Sequence, residues 1–509
     1  MSDVVLLFPK TGMDFGATIA PPHSLLSIAA PLDKLGYHVN IIDQRVDEDW
    51  ECKLTSALDK GPICVGISVM TGSPIYYSLL ASKLVKRHSN GKIPVVWGGP
   101  HPSILPEQTL ANENIDIVCV GEGDETFLEL VQAIEQHRSL ANIEGVAYKD
   151  GPSIKRSQDR PLIDVETLLP VPWHLIDVER YIHQDFYIKS GSRALDIGQT
   201  SRGCPYRCGF CCSACLRKRQ WRPMSVEKSL ELILNPVKKF NLNAAWIRDD
   251  EFYIDRRRAY GICQGIIEKG NGLRWYTSGT RVDVFNKASD DELEVMKRSG
   301  ADTIKFGAES GSNRILKLIN KGITVEETLK ANLRAKKHGI KPAYALMIGF
   351  PTETFEEINQ TIHLRNQLKK ENTDAQLETI AVYTALPGTE MWDLSVQYGL
   401  KQPTRLEEWI NWIFDDFDIK GERNPWLNWQ GRVKVGNISI MSILSGAVLN
   451  ATNSLTNPRL KWALTNLLMP VSKWYDFRLS HKSYSFAPEL LLVSYLRRAL
   501  LARSQYTFK

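Results

Sequence analysis

Five of the nine cysteines in this chain of 509 residues fall within twelve positions, from Cys204 to Cys215. Cys204, Cys208 and Cys211 form Cys-x3-Cys-x2-Cys, and thiolates so close on a short loop can wrap one compact iron–sulfur cube. A structural zinc site needs four ligands, usually as two Cys-x2-Cys pairs on separate knuckles. Cys208/Cys211 and Cys212/Cys215 supply two such pairs, but they abut with no turn between them. Three ligands leave one iron open, and an open coordination position marks a reactive centre by the logic that separates catalytic from structural metal sites. A fourth ligand, Cys212 or Cys215, would instead close the cube for electron transfer alone. Cys212 follows Cys211 directly and would strain to reach it.

These cysteines need a scaffold, and composition bounds it. A hydrophobic fraction of 43% with 24% charged residues is that of a globular protein too long for one ordinary domain. The opening stretch, MSDVVLLFPKTGMDFG, has no basic n-region and only a short apolar run, which predicts neither a signal peptide nor a membrane span. A cytoplasmic, reducing location is therefore expected, where crowded cysteines are not a disulfide framework. The net charge of +5 is small for this length, and no nucleic-acid partner is expected.

From 1 to 145 short apolar runs alternate with amphipathic stretches. The runs fall at 4–9, 38–43, 64–69, 94–99 and 115–121, with helical patterns such as Ser24–Leu35 and Pro74–Arg87 between them. This rhythm predicts a doubly wound, Rossmann-like parallel sheet with its ligand site at the carboxyl ends of the strands. Those ends are rich in small residues: Thr11-Gly12, Ser68 to Ser73, Gly98-Gly99 and Gly121-Glu122-Gly123. No Gly-x-Gly-x-x-Gly follows the first run, which counts against a dinucleotide. Residues 146–190, with Asp150-Gly151-Pro152 and Pro170-Val171-Pro172, read as a connector without packed elements apart from Trp173 and the 181–187 stretch.

The rhythm returns in longer units over 191–395. Strands are expected at Ala194–Gln199, Ala244–Arg248, Arg274–Ser278, Asp302–Gly307, Lys341–Ile348 and Glu378–Thr384. Six such units make a partial (β/α)6 barrel, whose chemistry sits at the carboxyl ends of its strands. The cysteine loop follows the first of them. The remainder, 396–509, reads as mostly helical, with Leu406–Phe414, Ile438–Leu449, Leu460–Leu468 and Pro488–Ala502 as helices and its tryptophans as core and lid.

Cys-x3-Cys-x-Phe-Cys, with Phe210 before the last ligand, resembles the signature of the radical S-adenosylmethionine (SAM) enzymes. Ser68-x-x-Thr71-Gly72, Gly98-Gly99-x-His101-Pro102-Ser103 and Gly121-Glu122-Gly123 resemble the cobalamin (B12) binding domain that precedes many such barrels. The barrel strand ends resemble their counterparts in cobalamin-dependent members: Asp249-Asp250-Glu251-Phe252, Thr280-Arg281-Val282-Asp283, Gly307 to Ser312, Gly349 to Thr354 and Leu386 to Glu390. The resemblance implies a 4Fe-4S cluster on Cys204, Cys208 and Cys211, with SAM and cobalamin as further cofactors. It implies that Glu309 and Ser310 face the SAM ribose and amino-acid moiety, Arg281 its carboxylate and Asp249 or Asp250 its ammonium. The bland alternative for the two aspartates is a helix N-cap. Cobalamin would lie on Thr11, Gly12, Ser68, Thr71, Gly72, Gly98, Gly99, Gly121, Glu122 and Gly123. The loop from Pro9 to Pro22 has no Asp-x-His-x-x-Gly, so no histidine is expected beneath cobalt. His23 and His101 read as a helix-start residue and a loop residue.

The reaction implied is reductive SAM cleavage, hydrogen abstraction from an unactivated carbon of a small-molecule substrate, and methyl transfer with cobalamin as carrier. Two other readings share these motifs in part. One is a radical cyclase or oxidase acting on a tetrapyrrole or other lipophilic substrate, as in the anaerobic magnesium-protoporphyrin monomethyl ester cyclase. The other is a non-catalytic cobalamin sensor or a ferredoxin-like carrier, neither of which needs an open-site cluster on a barrel. An electron donor of flavodoxin or ferredoxin type is implied as a partner. Residues 456–509 hold nine cations against two acids beside apolar runs, Leu490 to Leu501 among them, a pattern that suits either a solvated helical cap or peripheral contact with an anionic membrane.

Overall fold

The computed structural model describes residues 3–12, 14, 19–183, 191–412, 422–446 and 458–485. Its first sheet holds β1 (Asp3–Phe8), β2 (His38–Asp43), β3 (Val65–Ser68), β4 (Val95–Gly98), β5 (Ile117–Cys119), β6 (Val146–Asp150) and β7 (Ser153–Arg156). The order is β2-β1-β3-β4-β5-β6-β7, parallel through β5. The core strands are continuous apolar runs because helices cover both faces. The chain reverses direction across the sheet between β1 and β3, and a doubly wound sheet opens a crevice at that switch point.

One expectation is corrected here. The stretch beginning at 146 is not irregular: β6 and β7 add an antiparallel hairpin to the sheet, with Val118 opposite Ala147 and Tyr148 opposite Lys155. Val146 and Ala147 are buried, so β6 covers the flank of β5, and Gly151-Pro152 is the hairpin turn. Residues 184–187 of the expected 181–187 docking stretch lie outside the described residues, but Trp173 and Tyr181 are buried as expected.

The second sheet follows with β8 (Ala194–Gly198), a two-residue clip of β9 (Ser201–Arg202) against β10 (Arg222–Pro223), and then β11 (Ala244–Ile247), β12 (Arg274–Thr280), β13 (Ala301–Glu309), β14 (Lys341–Ile348) and β15 (Gln376–Val382). Apart from the clip, the six strands run parallel in the order β8-β11-β12-β13-β14-β15, each crossover stepping to the next strand. This is the partial barrel the periodicity predicts. Its helices start where the sequence writes caps: Ser289 with Glu292, Thr324 with Glu327 and Thr354 with Glu357 form reciprocal capping boxes. Neither Asp249 nor Asp250 caps a helix; Asp255 caps Arg256–Lys269.

The helix Trp429–Ser445 covers the edge strand β15, where Ser442 Oγ accepts from the Ile380 N–H at 2.9 Å. A second helix, Pro458–Ser480, packs on the first and continues through Pro470, well past the Leu468 end expected. The expected helix from Leu406 is a short 3-10 stretch, Leu406–Asn411, and Pro488–Ala502 lies outside the described residues. Trp409 and Trp412 are buried as expected, but Trp429, Trp462 and Trp474 are exposed. Trp409 ties the segment to the first domain, donating to Gln108 Oε1 at 2.5 Å and lying edge-on to His101.

Candidate functional site

The cysteine loop leaves the carboxyl end of β8 and is pinched at its base by the β9/β10 clip. Gly203 makes the pinch possible. Its φ is +85°, and a Cβ there would stand 2.1 Å from the Gln220 carbonyl oxygen, so only glycine fits. Beyond it the loop is sewn to the barrel mouth: the Gly209 N–H donates to Ile319 O at 2.8 Å, and the Met391 N–H donates to Gly209 O at 2.9 Å. Cys204, Cys208 and Cys211 are half-buried, unpaired thiols on this loop. Cys208 and Cys211 line a cavity of about 330 Å³ with Lys218, Arg219 and Glu390. Burial pushes the Cys204 thiol up to about 11 and the Cys211 thiol to about 12, against hydrogen bonds from the Tyr206 and Ser213 backbones. Among the described residues no three His, Cys, Asp or Glu side chains already converge as tightly as a bound metal ion would draw them. Cys215 donates to Gly388 O at 2.7 Å and so faces the loop after β15.

The residues expected around SAM divide into two groups. Asp250 is exposed at the end of β11 and accepts from Ser213 Oγ at 2.7 Å, beside Cys211 and Cys212. Asp249 is only 1% exposed and fully engaged, accepting from Thr200 N at 2.6 Å and Oγ1 at 2.7 Å, and from Ser201 N at 3.2 Å and Oγ at 2.7 Å. It fastens the start of the cysteine loop to β11 and has no lone pair left for an ammonium. Arg281 is buried, with Nη1 3.8 Å from Cys208 Sγ, Nε on Asp283 at 2.9 Å, and its guanidinium 3.8 Å above the Tyr206 ring. Glu309 ends β13 in the left-handed region, φ +60°, and its carboxylate accepts from Lys321 Nζ at 2.7 Å in a buried pair. Ser310 is buried and turned to Thr361 Oγ1 and the Ser312 N–H. Phe210 lies 5.8 Å beneath Lys321 Nζ.

Sequence reasoning missed Tyr206, Lys321 and Glu251. Glu251 is buried and accepts from the Arg281 N–H at 2.6 Å, and burial raises its carboxyl to about 8. Its place in the Asp249-Asp250-Glu251 run is the only signal it left.

At the switch point of the first sheet a cavity of about 540 Å³ lies between the two sheets. Thr11, Ser68, Gly98, Gly99, Gly121, Glu122 and Gly123 line it from the first domain, and Gly198, Arg202, Leu216 and Arg217 from the barrel. Gly99 has φ +96°, and a Cβ there would press to 2.9 Å against the Val69 backbone. Gly12, Thr71 and Gly72 are not in the lining. Thr71 Oγ1 bonds His101 Nδ1 at 3.1 Å, Gly72 precedes the helix Ser73–His88, and the Gly12 N–H donates to Asp14 at 3.2 Å. His23 does border this cavity, but its Nε2 lies 3.1 Å from both the backbone oxygen and the carboxylate of Asp196. His101 sits in the helix Pro100–Ile104, buried outside the lining, with Nε2 unpartnered and its pKa lowered by burial to about 4.

Glu122 does more than line this cavity, which its glycine-rich context concealed. Its carboxylate accepts from Arg222 at 2.7 and 2.8 Å, from Arg217, and from the Ile163 N–H at 3.1 Å. Asp124 accepts from Arg202 at 2.7 and 3.0 Å. Burial alone would raise the Glu122 pKa, but the arginines hold it below the usual carboxylate range. Arg202 and Arg217 flank the cysteine loop, so two carboxylates of the first domain grip both its stems. Between 199 and 226 there are six cations and no acid, the signal that could have foretold the pairing.

Residues 199–365 match the Radical SAM superfamily, and residues 16–131 match the B12 binding domain. An uncharacterised methyltransferase of Pyrococcus horikoshii is 33% identical over 386 residues, covering 75% of this chain and 80% of that protein. The chain belongs to the B12-binding radical SAM family. An anaerobic magnesium-protoporphyrin IX monomethyl ester cyclase of Rubrivivax gelatinosus is 26% identical, over 74% of this chain and 67% of its own. In fold the enzyme is similar to the cobalamin-dependent radical SAM enzyme OxsB, with a TM-score of 0.71 and 21% identity over 98% of this chain and 75% of that one. It is also similar to TsrM of Kitasatospora setae, with a TM-score of 0.65 and 19% identity over 79% and 78%.

The cofactors of this radical SAM enzyme are a 4Fe-4S cluster, SAM and cobalamin. Its residues fit them. Three thiols share one loop under a guanidinium that donates to sulfur, and the glycine-lined cavity at the switch point leaves room where side chains would fill it.

Proposed function

We propose that this enzyme transfers a methyl group to an unactivated carbon of a small molecule. The observation that carries the reading is the position of the cysteine loop between two cavities. Cys208 and Cys211 border the smaller one, while Leu216 and Arg217, at the far end of the same loop, border the switch-point cavity. When bound, the cluster supplies the electron that splits SAM, and cobalamin supplies a methyl carrier. Cys204, Cys208 and Cys211 hold the cluster, leaving one iron for SAM. Asp250, exposed beside the loop, receives the SAM ammonium; Asp249 is a positioning residue for the loop. Arg281 and Lys321 bring positive charge to the Cys208 side, with Glu309 fixing Lys321. Thr11, Ser68, Gly98, Gly99, Gly121 and Gly123 cradle cobalamin, and Glu122 and Asp124 lock that cradle to the loop.

In this reading 1–156 is the cobalamin domain, 191–395 the radical SAM core and the helices beyond 429 a cap. The enzyme works in the cytoplasm with a flavodoxin- or ferredoxin-type donor. Among the described residues no helix is long and apolar enough to cross a membrane. The test uses SAM carrying a labelled methyl group, with the fully loaded enzyme under reductant. Methyl transfer predicts S-adenosylhomocysteine and loss of the labelled methyl from SAM. A cyclase or oxidase predicts 5′-deoxyadenosine and methionine without S-adenosylhomocysteine, and that result would overturn the reading.

A further inference from the structure

The helix Pro458–Ser480 carries more exposed large apolar side chains than any other element among the described residues. Its last turns are seated: Tyr475 and Leu479 are buried, and Asp476, the one acid in the helix, pairs with Arg365 at 3.0 Å. The other side is bare. Ala463, Leu467, Pro470, Trp474 and Phe477 recur at steps of four and three, which sets them on one face of a helix. Leu467 is 68% exposed, Trp474 55% and Phe477 51%. Trp462, 72% exposed, extends the apolar surface around the projecting first turns. The Trp474 and Phe477 rings stack at 5.9 Å, and Phe477 stacks on His481 at 4.0 Å, so the three rings form one continuous ridge.

We propose that this face is a docking surface for an anionic lipid bilayer, with the helix lying in the interface plane and Trp462, Leu467, Trp474 and Phe477 entering the headgroup region. Charge selects this occupant. Residues 456–509 carry nine cations against two acids, a balance of +7, while the rest of the chain is at −2. A second copy of the chain would bring one cation-rich helix, with Arg459, Lys461, Lys473 and Arg478 against Asp476 alone, against another, at a Coulombic cost. An anionic membrane instead gains from each cation near its surface, and tryptophan is the side chain that interfaces favour. The inference deepens the reading of the C-terminal cap and does not depend on methyl transfer. The helix beneath the docking face covers β15, and the loop after β15 borders the cavity at Cys208. Docking there brings the edge of the barrel to the bilayer, which selects an amphiphilic or lipophilic substrate.

The experiment is co-sedimentation of the full-length, cofactor-loaded enzyme with phosphatidylcholine vesicles, with and without phosphatidylglycerol. Sedimentation should require the anionic lipid and weaken as salt is raised. The triple variant Trp462→Ser/Trp474→Ser/Phe477→Ser should lower the partition coefficient by about tenfold or more while keeping its cobalamin content. Arg497→Glu/Arg498→Glu, in the segment outside the described residues, should weaken binding while every aromatic side chain of the helix is kept. Wild-type enzyme that stays in the supernatant with anionic vesicles overturns the proposal. So does a triple variant that binds as tightly as wild type, or a wild-type dimer that becomes monomeric in the triple variant and never binds lipid.

Discussion

Replacing Glu122 by alanine should loosen the grip of the cobalamin domain on the cysteine loop, and the cost can be worked from the geometry. Glu122 is 8% exposed at its side chain and accepts from Arg222 twice, from Arg217 and from the Ile163 N–H. Removing one partner of a buried ionic network leaves the other charges desolvated and typically costs about 3–5 kcal/mol. Arg217 keeps 28% exposure and can rehydrate, so the lower end, about 3 kcal/mol, is the expectation here. Urea unfolding of the cofactor-free protein, followed by tryptophan fluorescence, reads this as an earlier first transition. Arg222→Gln combined with Glu122→Gln should recover part of the loss, because the more buried of the two stranded guanidiniums is then gone and only the part-exposed Arg217 is left without its carboxylate. A loss below about 1 kcal/mol would mean that the cluster behaves as an exposed ion pair, and would refute its role as a buried lock.

Three further outcomes follow from the site. Burial lowers the His101 pKa from 6.5 to about 4, so the unfolded chain takes up the proton first. Stability from this group is complete above pH 6.5 and falls by about 3 kcal/mol as pH drops to 4, and His101→Phe should flatten that slope in acid unfolding curves. Asp249→Asn should release Thr200 and Ser201, lowering iron per chain by half or more in anaerobic reconstitution while cobalamin uptake changes less than about twofold; equal loss of both would show global misfolding instead. The Co(II) form of bound cobalamin should show no superhyperfine splitting from a nitrogen ligand, because His23 Nε2 is engaged by Asp196 and His101 is outside the cavity. Splitting that disappears in His23→Ala would contradict this.

The periodicity of apolar runs was enough to locate the parallel strands of both sheets, most sharply where a strand is buried on both faces, as in β1 and β4, and less so at the half-exposed edge strand β15, which begins two residues before the expected Glu378. The hairpin β6-β7 escaped because β7 is exposed throughout and its turn looks like any Asp-Gly-Pro loop. The cysteine loop at the carboxyl end of the first barrel strand was legible from spacing and strand rhythm, because both are local patterns. Asp249 was not, since nothing local distinguishes a carboxylate that faces a ligand from one that accepts four bonds from Thr200 and Ser201, residues 48 and 49 positions away. Lys321 gave no signal either: its partner Glu309 lies across a turn in the left-handed conformation that sequence does not announce. Glu122 was read as part of a glycine-rich cradle, and only its pairing with arginines from another domain reveals the lock.

The most direct test of the account is ligand replacement in anaerobically reconstituted enzyme, measuring iron, sulfide and 5′-deoxyadenosine in parallel. The wild type should hold about four irons and four sulfides and cleave SAM. Cys208→Ala should lose both the cluster and SAM cleavage, while Cys212→Ala and Cys215→Ala keep cleavage largely intact. Loss of cleavage in Cys212→Ala or Cys215→Ala, with Cys208→Ala still active, would contradict the three-thiolate, open-site cluster on which the whole reading stands.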